Sequence, residues 1–202
     1  MSERALSGGD KLAAKLAEIS KQLEKAAQVK CGFLGNATES LSNVSTASVA
    51  TWMEFGTQSG KNKTLTPARP FFRPMIAEHS GEWGDQLAKV LKKNNYNTDQ
   101  SLSQMGMLIG AELQDSISAV TEPALSPITI MLRDMRSKDQ SLGSSSNPIT
   151  GKTIAEAARR VAAGISPGDA STKPLIDSGD MRASVSYQVD DGPEVFVDPD
   201  VK

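Results

Sequence analysis

The chain has one cysteine, one histidine and few aromatic residues: Cys31, His79, and 4 % Phe, Trp and Tyr among 202 residues. A single cysteine excludes an internal disulfide, and the expected place for Cys31 is among small buried apolar residues. One His and one Cys far apart exclude the usual nitrogen- and sulfur-liganded zinc centres. Neither charge sign is in excess, with 22 Lys and Arg against 24 Asp and Glu and a net charge of −2. The broad basic footprint of a nonspecific nucleic-acid binder is therefore missing. No apolar run approaches the ~18 residues of a membrane span. The opening MSERALSGGDK lacks the apolar centre of a secretion signal, so a protein made and folded in the cytoplasm, with no membrane partner, is expected.

What is present is helical periodicity, turn-rich loops and one terminal hairpin pattern. Residues 10–27 read as an amphipathic helix with Leu12, Leu16, Ile19 and Leu23 on one side and Asp10 as N-cap. VKCGFL alternates Val29, Cys31 and Phe33 as a short half-buried strand. SVATWMEFGT fits two patterns, a strand with Val49, Thr51, Met53 and Phe55 alternating or, slightly favoured, a short helix closed by Gly56. A long helix is expected from Phe71–Pro74 to about Lys92, striped by Phe72, Met75, Ile76, His79, Trp83, Leu87, Val90 and Leu91. A second follows from an N-cap at Thr98 to about Ala119, with Leu102, Met105, Ile109, Leu113 and Ile117 inward. The short NNYN link makes the two an antiparallel pair. Gly106 and Gly110 would let a neighbour approach the second helix closely.

Residues 120–175 form an irregular excursion with an inserted short helix. One helical candidate starts at Pro127, and a stronger one, TIAEAARRVAAG, has a Thr153/Glu156 capping box and a terminator at Gly164. The chain then closes on a β-hairpin: Val185, Tyr187 and Val189, a turn at 190–193, and Val195 and Val197 returning. The simplest organisation is one domain over 1–202. Its fold class is α+β, a small antiparallel sheet packed against two or three helices, with long loops at 34–48, 56–66 and 137–152 that order on assembly.

Catalytic motifs are sparse. SNPITGKT ends like a phosphate-binding loop, but Ser146 stands where its first glycine belongs and no buried strand precedes it. GISPG matches the letters of a nucleophile elbow yet follows a helix, and His79 lies upstream of it. Asp190, Asp191 and Glu194 read as a hairpin turn. No catalytic residue, metal ligand or cofactor is expected.

TPARPFFRPMI, residues 66–76, holds three prolines, two arginines and two of the five phenylalanines. The prolines stiffen the segment before a helix and reduce the entropy lost when it docks. Phe71 and Phe72 must point apart. Either both fill the home core, or one is left, with Arg69 or Arg73, as an anchor for a neighbouring subunit.

ATWMEFGT followed by TPARPFFRPMI resembles the EFGT…PARPFFRP signature of the small tail-completion, or neck, proteins that join head to tail in tailed bacteriophages. KPLIDSGDMRASVSYQV is similar to a second hallmark of that family, and ALSPITIMLRDMR to the stretch that precedes it. The resemblance spans about residues 49–76 and 124–189. The helical piece at 150–165 lies outside it, as an insertion. The resemblance implies an α+β fold with a sheet backed by helices, and a noncatalytic virion protein forming a homo-oligomeric ring, a hexamer or dodecamer. Its implied neighbours are connector, head-closure, tail-terminator or tail-tube proteins, with DNA at most passing through the lumen without specific binding. It also implies interface and structural roles. Glu54, Phe55 and Gly56 would close an element near the sheet. Arg69, Pro70, Phe71, Phe72 and Arg73 would set the entry to the long helix. Asp177, Ser178 and Gly179, with Arg182 nearby, would form the turn before the last hairpin. Two other readings stay open from the residues: a virion-associated hydrolase using paired carboxylates, and a nucleic-acid-binding module.

Overall fold

Two glycines on one helix decide how the sheet is covered. The computed structural model describes residues 9–23, 27–35, 37–38, 44–59, 63–190 and 192–199. Positions 36, 39–43 and 60–62 of the expected loops, and Asp191 of the expected turn, lie outside them. Helix α4, Thr98–Ala119, crosses the antiparallel sheet β1 (Val29–Gly32), β4 (Ser186–Val189) and β5 (Val195–Phe196), ordered β1-β4-β5. Pairing sets Cys31 opposite Tyr187, and Tyr187 opposite Val195. A Cβ on Gly106 would sit 2.4 Å from the Tyr187 ring, and one on Gly110 would sit 2.4 Å from a Val197 methyl. Only glycine admits the sheet at this distance. Leu102, Met105, Leu113 and Ile117 of α4 are buried, as their spacing predicts. The fold is α+β, 55 % helical among the described residues, as expected.

Helix α3, Phe72–Lys93, runs antiparallel to α4. Trp83 Nε1 donates to Glu112 at 2.8 Å, and Asn94 Nδ2 to Ser101 at 3.2 Å. The N-cap of α4 is Asn97, whose side chain accepts from the Gln100 N–H at 3.0 Å; Thr98 instead donates its hydroxyl to the Gln22 carbonyl at 2.9 Å. Thr98 is displaced as the cap because the preceding residue holds the extended cap conformation. The α3 stripe is narrower than expected: Met75 is buried, whereas Ile76 is 38 % exposed. His79 lies beside Glu112 at 3.7 Å.

The 120–175 excursion is more regular than its composition suggests. It carries α5, Pro127–Lys138, capped by Ser126 accepting from the Thr129 N–H, and α6, Gly151–Ala162, packed on α5. The α6 cap is a Thr150/Thr153 box rather than Thr153/Glu156. The helix begins three residues earlier than read, which leaves Glu156 free to pair with Arg160 at 2.8 Å. Gly164 ends α6 at φ 71°. Between the helices, 139–147 closes on itself through the Asn147 amide, which reaches Ser141 and Asp139.

Helix α2, Thr46–Phe55, is followed by β2 (Thr57–Ser59) and β3 (Lys63–Thr66), a two-stranded hairpin separate from the main sheet. Strands thus occupy part of a segment expected to be loop. Helix α1 spans Gly9–Leu23, with Asp10 in its first turn rather than at its cap. A four-residue helix, α7 (Asp180–Ala183), precedes β4. Among the described residues, no helix is long and apolar enough to cross a membrane.

Candidate functional site

Glu54 lies in the last turn of α2, and α2 stops because Gly56 takes φ 73°. A side chain there would be 2.8 Å from the Ala68 nitrogen and 2.9 Å from the Thr66 carbonyl, so the returning strand passes flush against the turn. The Arg69 N–H donates to the Met53 carbonyl at 2.7 Å and ties the two ends of the hairpin together. Pro70 then ends the extended run, and α3 begins.

The start of α3 has no local side-chain cap at its N-cap, Phe71. Glu54 supplies one from 17 residues upstream. Its carboxylate accepts from the N–H groups of Phe71 (2.8 Å), Phe72 (3.0 Å) and Arg73 (3.3 Å), and from Arg73 Nε at 2.8 Å. An anion among the free N–H groups of a helix start is favoured by the bonds and by the helix dipole. The Arg73 guanidinium also stands 4.9 Å from the centre of the Phe55 ring. Arg69, itself buried, donates Nε to the Pro123 carbonyl at 2.9 Å. Seven of the expected interface residues (Glu54, Phe55, Gly56, Arg69, Phe71, Phe72 and Arg73) therefore meet in one clasp.

The phenylalanines divide unequally. Phe71 is 1 % exposed, edge-on to Phe33 and to Phe72 at 6.2 and 6.4 Å. Phe72 is half-buried and packs on the same core. It lines an apolar groove of about 330 Å³ with Cys31, Phe33, Leu34, Ala50 and Phe55. Burial, reinforced by Glu112 and only partly opposed by a backbone hydrogen bond, pushes the Cys31 thiol up to about 11. A thiol held in its protonated form is a poor nucleophile.

The second block sits around Asp177. Its carboxylate pairs with Arg136 and lies 3.5 Å from Arg133 Nε. The Arg133 guanidinium also reaches the carbonyls of Ser171, Lys173, Pro174 and Ile176 at 2.8–3.1 Å, holding the 171–176 loop in place. Burial, with Arg136 and Arg69 nearby, pushes Arg133 down to about 10. Gly179 takes φ 90° and opens α7. Arg182 turns away from Asp177: its guanidinium donates to the Pro199 carbonyl, and its own carbonyl accepts from Gln114 at 3.2 Å. The two blocks face each other across a cavity of about 310 Å³, lined by Val49 and Met53 of α2 and by Arg133, Leu175, Asp177 and Met181.

Sequence reasoning missed Arg133, Arg136 and Asp134. Asp134 lies three residues after the fully buried Met131 and is itself buried, accepting from Lys138 at 2.7 Å and the Gly168 N–H at 2.9 Å. That spacing, an acid on the apolar side of a helix, was the available signal. Among the described residues no cluster of three His, Cys, Asp or Glu is placed to hold a metal ion.

Both buried carboxyls have their protonation set by these contacts. Burial disfavours the charge of Glu54, but the bonds from Arg73 and the three N–H groups outweigh it and hold the carboxyl below its ordinary 4.5. Asp134 is held below its ordinary value by Lys138 and the Gly168 N–H, against burial. A carboxyl with a depressed folded pKa lends stability that is complete above the unfolded value and lost as pH falls through the folded one. The melting temperature is therefore expected to be flat above about pH 5 and to drop below about pH 4.5. Glu54→Gln should reduce that drop; thermal unfolding of both proteins between neutral and acid pH checks it.

Comparison of the chain with protein-family models, with curated proteins and with solved structures finds no match.

Proposed function

We propose that the protein is a structural subunit of a bacteriophage neck or tail, forming a homo-oligomeric ring that completes the head–tail connection. The observation that carries this reading is how the residues of the two family-like blocks are used. Glu54 is committed to three backbone N–H groups and Arg73, and Arg133 to four carbonyls and Asp177. These ionisable groups fasten chain segments to one another. Large apolar side chains of the same block are exposed: Phe55 is 63 %, Leu65 65 % and Trp52 46 % exposed. Their exposure supports contact with other proteins. The β2–β3 hairpin adds to this, since a lone pair of short strands is marginal in water and gains from a partner.

Native mass spectrometry of the full chain tests the proposal. A closed ring of six or twelve copies is expected on the family resemblance. A stable monomer that turns over cell-wall glycan would establish the hydrolase reading instead.

A further inference from the structure

Among the described residues, nothing covers Leu12 and Leu16 on the apolar side of α1. Leu12 and Leu16 are 63 % and 57 % exposed, and the helix is tied to the body at its far end, where Gln22 accepts from Thr98. At 100° per residue, Leu12, Leu16 and Ile19 form one ridge, with Lys11 and Lys15 along one flank. Among the described residues, Lys15 pairs with exposed Glu18 at i,i+3, 2.9 Å away.

Helix α3 presents the converse. Its outward side is a flat strip of Ala77, Gly81, Gly84 and Ala88, bordered on one flank by exposed Glu78, Glu82 and Asp85, three acids against the single base Lys89 one turn beyond Asp85. No ion pair engages these three acids among the described residues. Glycine inside a helix is unfavourable, and the chain itself does not require it here. A Cβ on Gly81 or Gly84 would meet nothing within 4 Å. A small-residue strip allows a second helix to approach closely.

We propose that α1 of one copy packs its Leu12–Leu16 ridge on the Gly81–Gly84 strip of α3 in a second copy, with Lys11 and Lys15 facing Glu78, Glu82 and Asp85. Charge complementarity selects this occupant: the basic flank and the acidic border are both exposed. Within one chain the two faces do not meet, because ridge and strip stand open together. The contact is heterologous, ridge to strip, so each copy offers both halves and the arrangement propagates until it closes. It rests on the ring reading for the number of copies, and adds which faces meet.

Four full-length variants test it by sedimentation velocity over a concentration series, with circular dichroism to confirm folding. Lys11→Glu/Lys15→Glu and Glu78→Lys/Glu82→Lys should each raise the concentration needed for assembly about tenfold, and their combination in one chain should restore it. Gly84→Leu fills open space in the monomer, so it should leave the fold intact and abolish assembly. A wild-type protein that assembles, with variants that assemble equally well, would overturn this contact and leave the ring reading standing. Wild type remaining monomeric at every concentration would overturn both. Variants that change thermal stability but not mass would place α1 on its own α3 and also overturn the contact.

Discussion

Phe71→Ala is expected to lower the unfolding free energy by about 3–5 kcal/mol. The ring is 1 % exposed and meets Phe33 and Phe72 edge-on, in a core with Met75, Leu113, Ile117 and Val185. Truncation removes its transfer energy and leaves a void, because helices and sheet converge there and cannot all relax inward. Urea unfolding of the isolated protein reads the loss as a lower midpoint with an unchanged slope. Phe72→Ala should cost less than half as much, since its ring is only half-buried. A Phe71→Ala protein within about 1 kcal/mol of wild type, yet unable to assemble, would assign Phe71 to a subunit contact rather than the core.

Glu54→Ala carries the second large effect, about 3 kcal/mol or more. The carboxylate side chain is 6 % exposed, and its removal strands the N–H groups of Phe71 and Phe72 together with Arg73 Nε. The 0–1 kcal/mol typical of exposed ion pairs does not apply, because one partner is buried and the acceptor serves backbone as well as side chain. Glu54→Gln should lose less: one amide oxygen still accepts, although the amide NH2 then faces donors. Comparing Glu54→Ala, Arg73→Ala and the double variant separates the side-chain pair from the helix cap. A large cost for Glu54→Ala that persists in the Arg73→Ala background identifies the cap as the main contribution. Stability of Glu54→Ala equal to wild type would show that the α3 start is satisfied without it.

The parts of the fold legible in the sequence are those governed by neighbours within a few residues. Pro70 and Pro74 mark where α3 begins, Gly56 and Gly164 where two helices end, and the spacing of Leu102, Met105, Leu113 and Ile117 gives the inward side of α4. Gly106 and Gly110 announce a close neighbour, but only the fold identifies it as Tyr187 and Val197. The Glu54 cap was not legible. A capping acid is sought three residues from the helix start, and this one reaches across a hairpin. The Arg133 anchor was equally hidden, since its acceptors are backbone carbonyls 38–43 residues away, which no side-chain pattern encodes. Periodicity gave the apolar ridge of α1 correctly and said nothing of what covers it. Leu12 and Leu16 look like core in the sequence and are surface in the chain.

The hairpin between Thr57 and Thr66 is bolted at both feet. One foot leaves α2 through Gly56, and the other is stitched back by the Arg69–Met53 bond before running into α3 under the Glu54 cap. A pull on the arm therefore reaches α2 and α3 at once, through its two feet. The arm is a strut, able to carry thrust from whatever it touches into the middle of the fold.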